Sequence, residues 1–246
     1  MKWDGLNIIF LLLALLAEII GTIGGFGSSV FFVPIGNFYF DFHTVLGLTA
    51  LFHLASNISK ITLFKGGINK SLLIYLGIPS VIFVILGGVL SEKIQTKWLE
   101  LILGMFLIGL SLLFLIKKNL AFKPNKKESV LGGSLSGFAA GLLGTGGAIR
   151  GITMAAFNLE KSTFIATSAI IDLVIDFTRT LVYFFNGYMN RETLIYVPFL
   201  FLIGILGTYL GKKILHHISQ EKFKKISLVL IAIIGVLTVI SFVLKK

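Results

Sequence analysis

Long apolar runs follow one another from Leu6 almost to the end of the chain, and only short polar stretches separate them. Many approach the roughly 20 residues that an α-helix needs to cross a bilayer. Charged residues make up 13% of the chain, against roughly a quarter in soluble domains. The pattern predicts an all-α polytopic membrane protein with nearly all of its mass in the lipid bilayer. A separate soluble catalytic domain is therefore not expected.

The formal net charge is +11, which in a soluble protein would suggest nucleic-acid binding. Here the lysines cluster at the ends of apolar runs, where they set the orientation of membrane segments, so no nucleic-acid partner is predicted. The sequence contains no cysteine, and His216 and His217 have no metal-ligand spacing around them. We expect no metal and no cofactor. One lysine precedes the first run without a small-residue cleavage pattern, which favours a retained first segment over a removed signal peptide.

Two glycine-rich stretches, residues 21–34 and 141–154, interrupt apolar runs that are too long for one simple span. Glycine is a poor helix former, so each stretch predicts a break inside a membrane helix. A break at bilayer depth leaves backbone groups unpaired, and it is tolerated only where protein, water or a bound solute pairs with them. A ligand site is the natural use. The glycines concerned are Gly24, Gly25 and Gly27 in the first break and Gly144, Gly146 and Gly147 in the second, which also holds Thr145.

The second half of the chain repeats the first. Each half is predicted to hold a broken helix pair (6–24 with 28–40, and 130–144 with 148–158) followed by three spans (44–64, 71–91 and 98–116, then 163–185, 193–211 and 224–244). A shift of 119 or 120 positions superposes unusual residues: Gly24 and Gly27 on Gly144 and Gly147, Thr49 on Ser168, His53 on Asp172, Asn57 on Asp176, Lys60 on Arg179, and Pro79 on Pro198. Five segments per half is an odd number, so the halves are predicted to be inverted repeats, as in many secondary transporters.

The predicted units are a first transmembrane repeat (1–116), a basic cytoplasmic linker (117–128) and a second repeat (129–246). Placing both termini outside puts most lysines and arginines on the inner side, as the positive-inside rule requires. An eight-span arrangement with each broken unit crossing once splits them almost evenly. The rule favours ten segments, or eight with two re-entrant hairpins, and the sequence does not separate these two versions.

Polar residues form a matching stripe on the span that follows each break. The members are His53, Asn57 and Lys60 in the first half and Asp172, Asp176 and Arg179 in the second, with Thr49 and Ser168 one turn earlier. Spacing of i, i+4, i+7 puts each set on one helix face, and ionisable groups at membrane depth face a bundle interior or a wet cavity. Solute or proton handling and a structural Asp176–Arg179 ion pair are both open. For Lys60, a side chain that reaches the headgroups is favoured.

Arg150 lies three residues after Gly147, at the predicted start of a short half-helix. A helix N-terminus attracts anions through its free N–H groups and partial positive charge, and a guanidinium adds a planar fork that suits oxyanions. The first break has Val30 at the equivalent place, with Ser28 and Ser29 before it as hydroxyl donors. The alternative for Arg150 is a surface loop position.

Two further ionisable residues have open roles. Glu18 lies about two turns before the first break without an obvious local partner, and it is interpreted either as a proton carrier or as half of an ion pair with another span. His53 could titrate near neutral pH or be a satisfied interior histidine. Together with Asn57, Asp172, Asp176 and Arg179, these residues are the candidates for proton coupling or gating.

These motifs resemble the sulfite exporter TauE/SafE family, whose two homologous halves each open with a glycine-rich motif. The matching residues are Gly24-Gly25-Phe26-Gly27 with Pro34, Gly144-Thr145-Gly146-Gly147, Leu48-Thr49-Ala50 and Thr167-Ser168-Ala169. Phe26 interrupts the first glycine cluster, and Met154 stands where the second half is expected to carry proline. The resemblance implies transport of sulfite, thiosulfate or organosulfonates across a bacterial inner membrane without ATP hydrolysis.

We therefore predict a secondary active transporter of a small anion that works by alternating access and is a candidate for proton coupling. Its predicted substrate site combines the glycines of both breaks with Ser28, Ser29, Thr49, Thr145, Arg150 and Ser168. A channel or a carrier for another organic anion is the alternative. A membrane enzyme with Ser28 or Ser29 as nucleophile and His53 as base lacks a Gly-x-Ser-x-Gly context and an orienting carboxylate. The oligomeric state is open, with a homo-oligomer among the options.

Overall fold

The computed structural model describes residues 7–24, 27–116, 123–215 and 220–244, and every regular element in these ranges is helical. The all-α prediction is confirmed. Of the predicted site residues, Gly25 lies outside the described ranges, as do Phe26, His216, His217 and residues 117–122 of the predicted linker. The elements are α1 (Ile8–Gly24), α2 (Ser29–Gly36), α3 (Phe42–Leu63), α4 (Lys70–Leu72), a π-helical turn (Leu73–Gly77), α5 (Ile78–Lys93), α6 (Thr96–Ile116), α7 (Lys126–Leu143), α8 (Gly147–Ala155), α9 (Lys161–Phe185), α10 (Arg191–Leu194), α11 (Val197–Leu215) and α12 (Gln220–Leu244).

Three helices in the described ranges are long and apolar enough to cross a membrane: Lys70–Lys93, which joins α4, the π turn and α5, then Thr96–Leu113 and Val197–Leu215. Two shorter apolar helices cover Ile8–Ile23 and Leu228–Leu244. Helices α3 and α9 have the length of a span, with 22 and 25 residues. Their polar stripes lower the hydropathy, and these stripes lie on the helix faces that are buried in the bundle, while apolar side chains such as Phe177 of α9 are exposed on the opposite face.

Packing between the two halves is reciprocal. Helix α1 packs against α11, and its counterpart in the second half, α7, packs against α5. Counterparts also meet directly, α3 against α9 and α6 against α12. Two repeats related by a pseudo-two-fold axis would produce this arrangement, and that symmetry stays a prediction. The inverted orientation of the repeats in the membrane stays a prediction.

Both glycine breaks reverse the direction of the chain. Helix α8 has nine residues, about 13 Å at the usual helical rise, and so cannot cross a hydrocarbon core of about 30 Å. It lies back along α7: Thr153 contacts the Cα side of Gly132, and Ser136 Oγ donates to the carbonyl of Gly146 at 2.8 Å. Helix α2 has eight residues, and Ser28 packs against Gly21 of α1. Of the two versions that the sequence leaves open, this geometry favours re-entrant hairpins.

Small residues allow the closest contact between the two halves. Glycines recur every fourth residue along α7, at Gly133, Gly137 and Gly141, and face the backbone of the π turn and α5. A Cβ atom added at Gly137 would lie 2.6 Å from Cα and 2.7 Å from the carbonyl carbon of Ser80. These glycines are therefore needed for close helix packing, which is common at membrane helix interfaces, and they are distinct from those of the breaks.

Candidate functional site

The two breaks and the two polar stripes meet at one small buried cavity, which we call the central cavity. Its volume is about 20 Å³, which is room for a water molecule or two, so an oxyanion could enter only if side chains parted. Its lining residues are Gly27, Ser29, His53, Asn57, Lys60, Ala140, Gly144, Gly146, Gly147, Arg150, Asp172, Ile175, Asp176 and Arg179. Most of the predicted substrate-site and coupling residues are thus brought together.

Arg150 is buried, with 2% of its surface exposed, so the surface-loop alternative is wrong. It lies in the first turn of α8, where its backbone N–H donates to the carbonyl of Gly146 at 3.2 Å. Its side chain reaches α9: Nε donates to Ser168 Oγ at 3.0 Å, and Nη2 forms a close ion pair with Asp172 Oδ2. An arginine fork at a helix N-terminus is suited to an oxyanion, and here a carboxylate occupies it.

A second cavity adjoins the first and shares Gly27, Lys60, Arg150 and Asp172 with it. Its volume is about 30 Å³, and its wall includes Ser168 together with side chains of the first turns of α9. The Arg150–Asp172 ion pair therefore lies at the boundary between the two cavities. We call this second space the adjoining cavity.

The carboxylate of Asp176 lies close to polar side chains of both stripes. Asn57 Nδ2 donates to Asp176 Oδ2 at 2.6 Å, and Arg179 Nη2 lies 2.8 Å from Asp176 Oδ1. His53 Nδ1 is 3.8 Å from Asp176 Oδ2. The predicted Asp176–Arg179 pair is present, and Asn57 links it to the first half. Removing one member would leave a buried charge without its partner, which is costly.

Arg179 also pairs with the free backbone of the second break. Its Nη1 donates to the carbonyl of Gly144 at 2.8 Å, and Tyr183 Oη donates to the carbonyl of Gly141 at 2.6 Å. These carbonyls lie at the end of α7, where no further helical turn provides N–H donors. Protein side chains thus satisfy groups that the break exposes. Sequence reasoning missed Tyr183, although it lies one turn after Arg179 on the same face.

Glu18 is enclosed by donors and lines neither cavity. Lys60 Nζ lies 2.9 Å from Glu18 Oε1, so Glu18 forms an ion pair with another span, and the side chain of Lys60 does not reach the headgroups. That correction follows from packing, because α1 brings a carboxylate to within reach of the lysine. Hydroxyls complete the cage around Glu18: Thr22, Ser28, Ser56 and Thr208, from four different helical segments or their flanks, all donate to it. Sequence reasoning missed Ser56 and Thr208.

Ser28 and His53 are in contact, with 2.9 Å between Ser28 Oγ and His53 Nε2. Asp176 near the other ring nitrogen of His53 completes an order of residues that resembles a catalytic triad, and sequence reasoning had found no such carboxylate. Yet the Ser28 hydroxyl donates to Glu18, and Ser28 is fully buried outside the lining of either cavity. A nucleophile needs a free path to its substrate and a base that takes its proton. The geometry therefore gives no support to the enzyme alternative.

The remaining predicted residues divide into two groups. Ser29 Oγ donates to Thr145 Oγ1 at 3.2 Å, which joins the two breaks beside the central cavity. Thr49 Oγ1 donates to the carbonyl of Val45 at 2.6 Å, one turn back on its own helix, and lines neither cavity. Gly24 is the last residue of α1 and is likewise absent from both linings. Among the described residues, no group of three His, Asp or Glu side chains is placed to hold a metal ion.

Comparison with known proteins agrees with the geometry. The chain is 26% identical, over 93% of its length and 92% of the other protein, to a protein from Methanocaldococcus jannaschii named "probable membrane transporter protein". The sequence profile of the family described as "Sulfite exporter TauE/SafE" matches residues 10–238. That match covers both breaks, both stripes and all but the ends of the chain. The chain belongs to the sulfite exporter TauE/SafE family of membrane transporters.

Proposed function

We propose that this protein is a secondary transporter that moves a sulfur oxyanion, such as sulfite or thiosulfate, or an organosulfonate, and that the central cavity is its anion site. The observation that carries the proposal is Arg150, a buried guanidinium in the first turn of α8, which follows the second break and lines the central cavity together with Gly27 of the first break. The family description supports a sulfur anion as the substrate.

The charges around the central cavity balance. Arg150 is paired with Asp172, Arg179 with Asp176, and Lys60 with Glu18 outside the lining. An anion that enters must separate at least one of these pairs, and Arg150 is the cation whose partner lies at the boundary between two cavities. Backbone N–H groups of the second break and the Ser29 hydroxyl then add neutral donors.

Movement of the site from one side to the other would follow from the reciprocal packing of the halves. Helices α3 and α9 meet through the polar stripes, and each hairpin packs on a span of the other half. Rocking one half against the other would open the cavity to each side in turn, as in transporters built from repeats. We place the protein in the cell membrane, specifically a bacterial inner membrane, with its basic central segment in the cytoplasm.

The test is the transient current from proteoliposomes on a solid support when sulfite, thiosulfate, sulfoacetate, sulfate and lactate are applied in turn. We expect a saturable current for one or more sulfur anions, and its loss in Arg150→Ala. Arg191→Ala, which removes an exposed arginine far from the cavity in sequence and contacts, is the matched control and should retain the current.

Three outcomes would contradict the proposal. Silence of the wild type toward every sulfur anion, with a response to lactate, would assign the protein to another class of organic anion. A steady current that rises in proportion to concentration would indicate a channel. Equal currents from wild type and Arg150→Ala would remove Arg150 from the site.

A further inference from the structure

We infer that Asp172 acts as an internal stand-in for the transported anion, and that a proton on Asp172 must accompany each anion that binds Arg150. The inference rests on the proposed function and adds its coupling mechanism. The geometry behind it is the Arg150–Asp172 ion pair, which lies at the boundary between the central cavity and the adjoining cavity.

The carboxylate of Asp172 occupies the place that an oxyanion needs. It pairs with Arg150 Nη2, while Nε of the same fork is bound to Ser168. A sulfonate or sulfite at this fork would meet the carboxylate at close range, and two anions at such a distance repel strongly inside a protein. Protonation removes the negative charge from Asp172 and frees the guanidinium in one step.

Asp176 is less suited to this role. Asp176 is held by Asn57 and Arg179 and has 3% of its side chain exposed, whereas the side chain of Asp172 is 20% exposed. Among the described residues, Arg150 is the single hydrogen-bond partner of the Asp172 side chain. The side chain of Asp172 therefore has the access to water that proton exchange requires, and it needs to break only its bond to Arg150 to release that guanidinium. Asp176 would have to break its bonds to both Asn57 and Arg179.

Asp172 is the group at the two cavities whose protonation can offset the charge of an entering anion, as the other ionisable groups show. They are Lys60 and His53 from α3 and Asp176 and Arg179 from α9. Lys60 is neutralised by Glu18 and Arg179 by Asp176. With a monoanion on Arg150 and a proton on Asp172, the buried site carries the same net charge as without either. The proton binds a carboxylate oxygen of Asp172 on one side of the membrane and returns to water on the other.

The experiment measures proton entry together with anion entry in proteoliposomes that hold a pH-sensitive dye. The probes are radiolabelled methanesulfonate, which is a monoanion, and thiosulfate, which is a dianion. Neither binds a proton near neutral pH, so any proton that enters has been carried by the protein. In the wild type we expect one proton per anion, so methanesulfonate should enter without net charge, while each thiosulfate should carry one net negative charge and produce a current. In Asp172→Asn we expect anion exchange to continue across the membrane while proton entry and accumulation driven by a pH gradient are lost.

The matched control is Glu92→Gln, which removes an exposed carboxylate at the end of α5 and should behave as wild type. Asp172→Glu, which keeps the carboxylate, should restore proton entry. Anion entry without protons in the wild type would overturn the inference even if Asp172→Asn fails to fold, and so would gradient-driven accumulation in Asp172→Asn. If the wild type moves neither probe nor sulfite, the sulfur-anion proposal fails and the coupling mechanism fails with it.

Discussion

Replacing Gly137 by alanine should weaken the contact between the two halves. The added Cβ would lie 2.6 Å from Cα and 2.7 Å from the carbonyl carbon of Ser80, where ordinary contacts begin at 3.4 Å. The obstacle is backbone, so it cannot rotate away, and the helices must separate by about 1 Å at this point. Such a separation also loosens the contacts of Gly133 and Gly141, one turn away on either side.

Overpacking of this kind costs about 1 to 3 kcal/mol, and the better helix propensity of alanine offsets up to about 1 kcal/mol. We therefore expect Gly137→Ala to unfold at a lower temperature than wild type in detergent. Gly109→Ala is the control, because it makes the same change inside α6 with nothing within 4 Å of the new Cβ. It should be neutral or slightly stabilising. Equal thermal stability of the two variants would refute the argument that backbone contact between α7 and α5 joins the halves.

Three further results are expected. Glu18→Gln should destabilise the protein by about 3 to 5 kcal/mol because it leaves Lys60 buried without a counter-ion, and the double variant with Lys60→Met should recover most of that loss in thermal unfolding. Asn57→Ala should cost about 1 to 3 kcal/mol by leaving a carboxylate oxygen of Asp176 without its donor, and unfolding unchanged from wild type would contradict this. Ser29→Ala should raise the half-saturating anion concentration roughly fivefold, for a lost hydrogen bond of about 1 kcal/mol, with little change in stability.

The two helix breaks and the two inward polar stripes could be predicted from the local sequence pattern. Glycine clusters at equivalent points of two halves locate the breaks because glycine disfavours helix wherever it stands. The spacing of His53, Asn57, Asp172 and Asp176 puts them on helix faces, and the cost of lipid exposure turns those faces inward. The meeting of the two stripes at one cavity follows from these two constraints.

What could not be predicted depends on contacts between distant segments. The partner of Lys60 is a glutamate 42 positions away, as the numbering of Glu18 and Lys60 gives, and the two come together because α1 and α3 both pack against α11. Thr49 was predicted to donate to the substrate, but its hydroxyl donates to the carbonyl of Val45 instead. A threonine in a helix can bond its own preceding turn, so its position on the inward face of α3 does not decide where its hydroxyl donates. The fold-back of α8 along α7 needs the contact between Gly132 and Thr153, which no periodicity indicates.

Asp172 illustrates a limit of a different kind. Its position in the stripe predicts that it is buried and functional, but not that its carboxylate closes the fork of Arg150. That arrangement requires α8 to place its first turn against α9, one turn from Ser168. The sequence predicted that Arg150 is free to bind an anion. In the structure the carboxylate of Asp172 already occupies that position.

The central claim is that a sulfur oxyanion binds in the central cavity at Arg150. The most direct test is a crystal structure of the protein with selenite, the selenium analogue of sulfite, at a concentration that blocks the sulfite current. We predict an anomalous selenium peak within hydrogen-bonding distance of the Arg150 guanidinium, between Ser29 and the first turn of α8, with the carboxylate of Asp172 moved away. Selenium peaks confined to exposed lysines, with the Arg150–Asp172 pair intact, would contradict the claim.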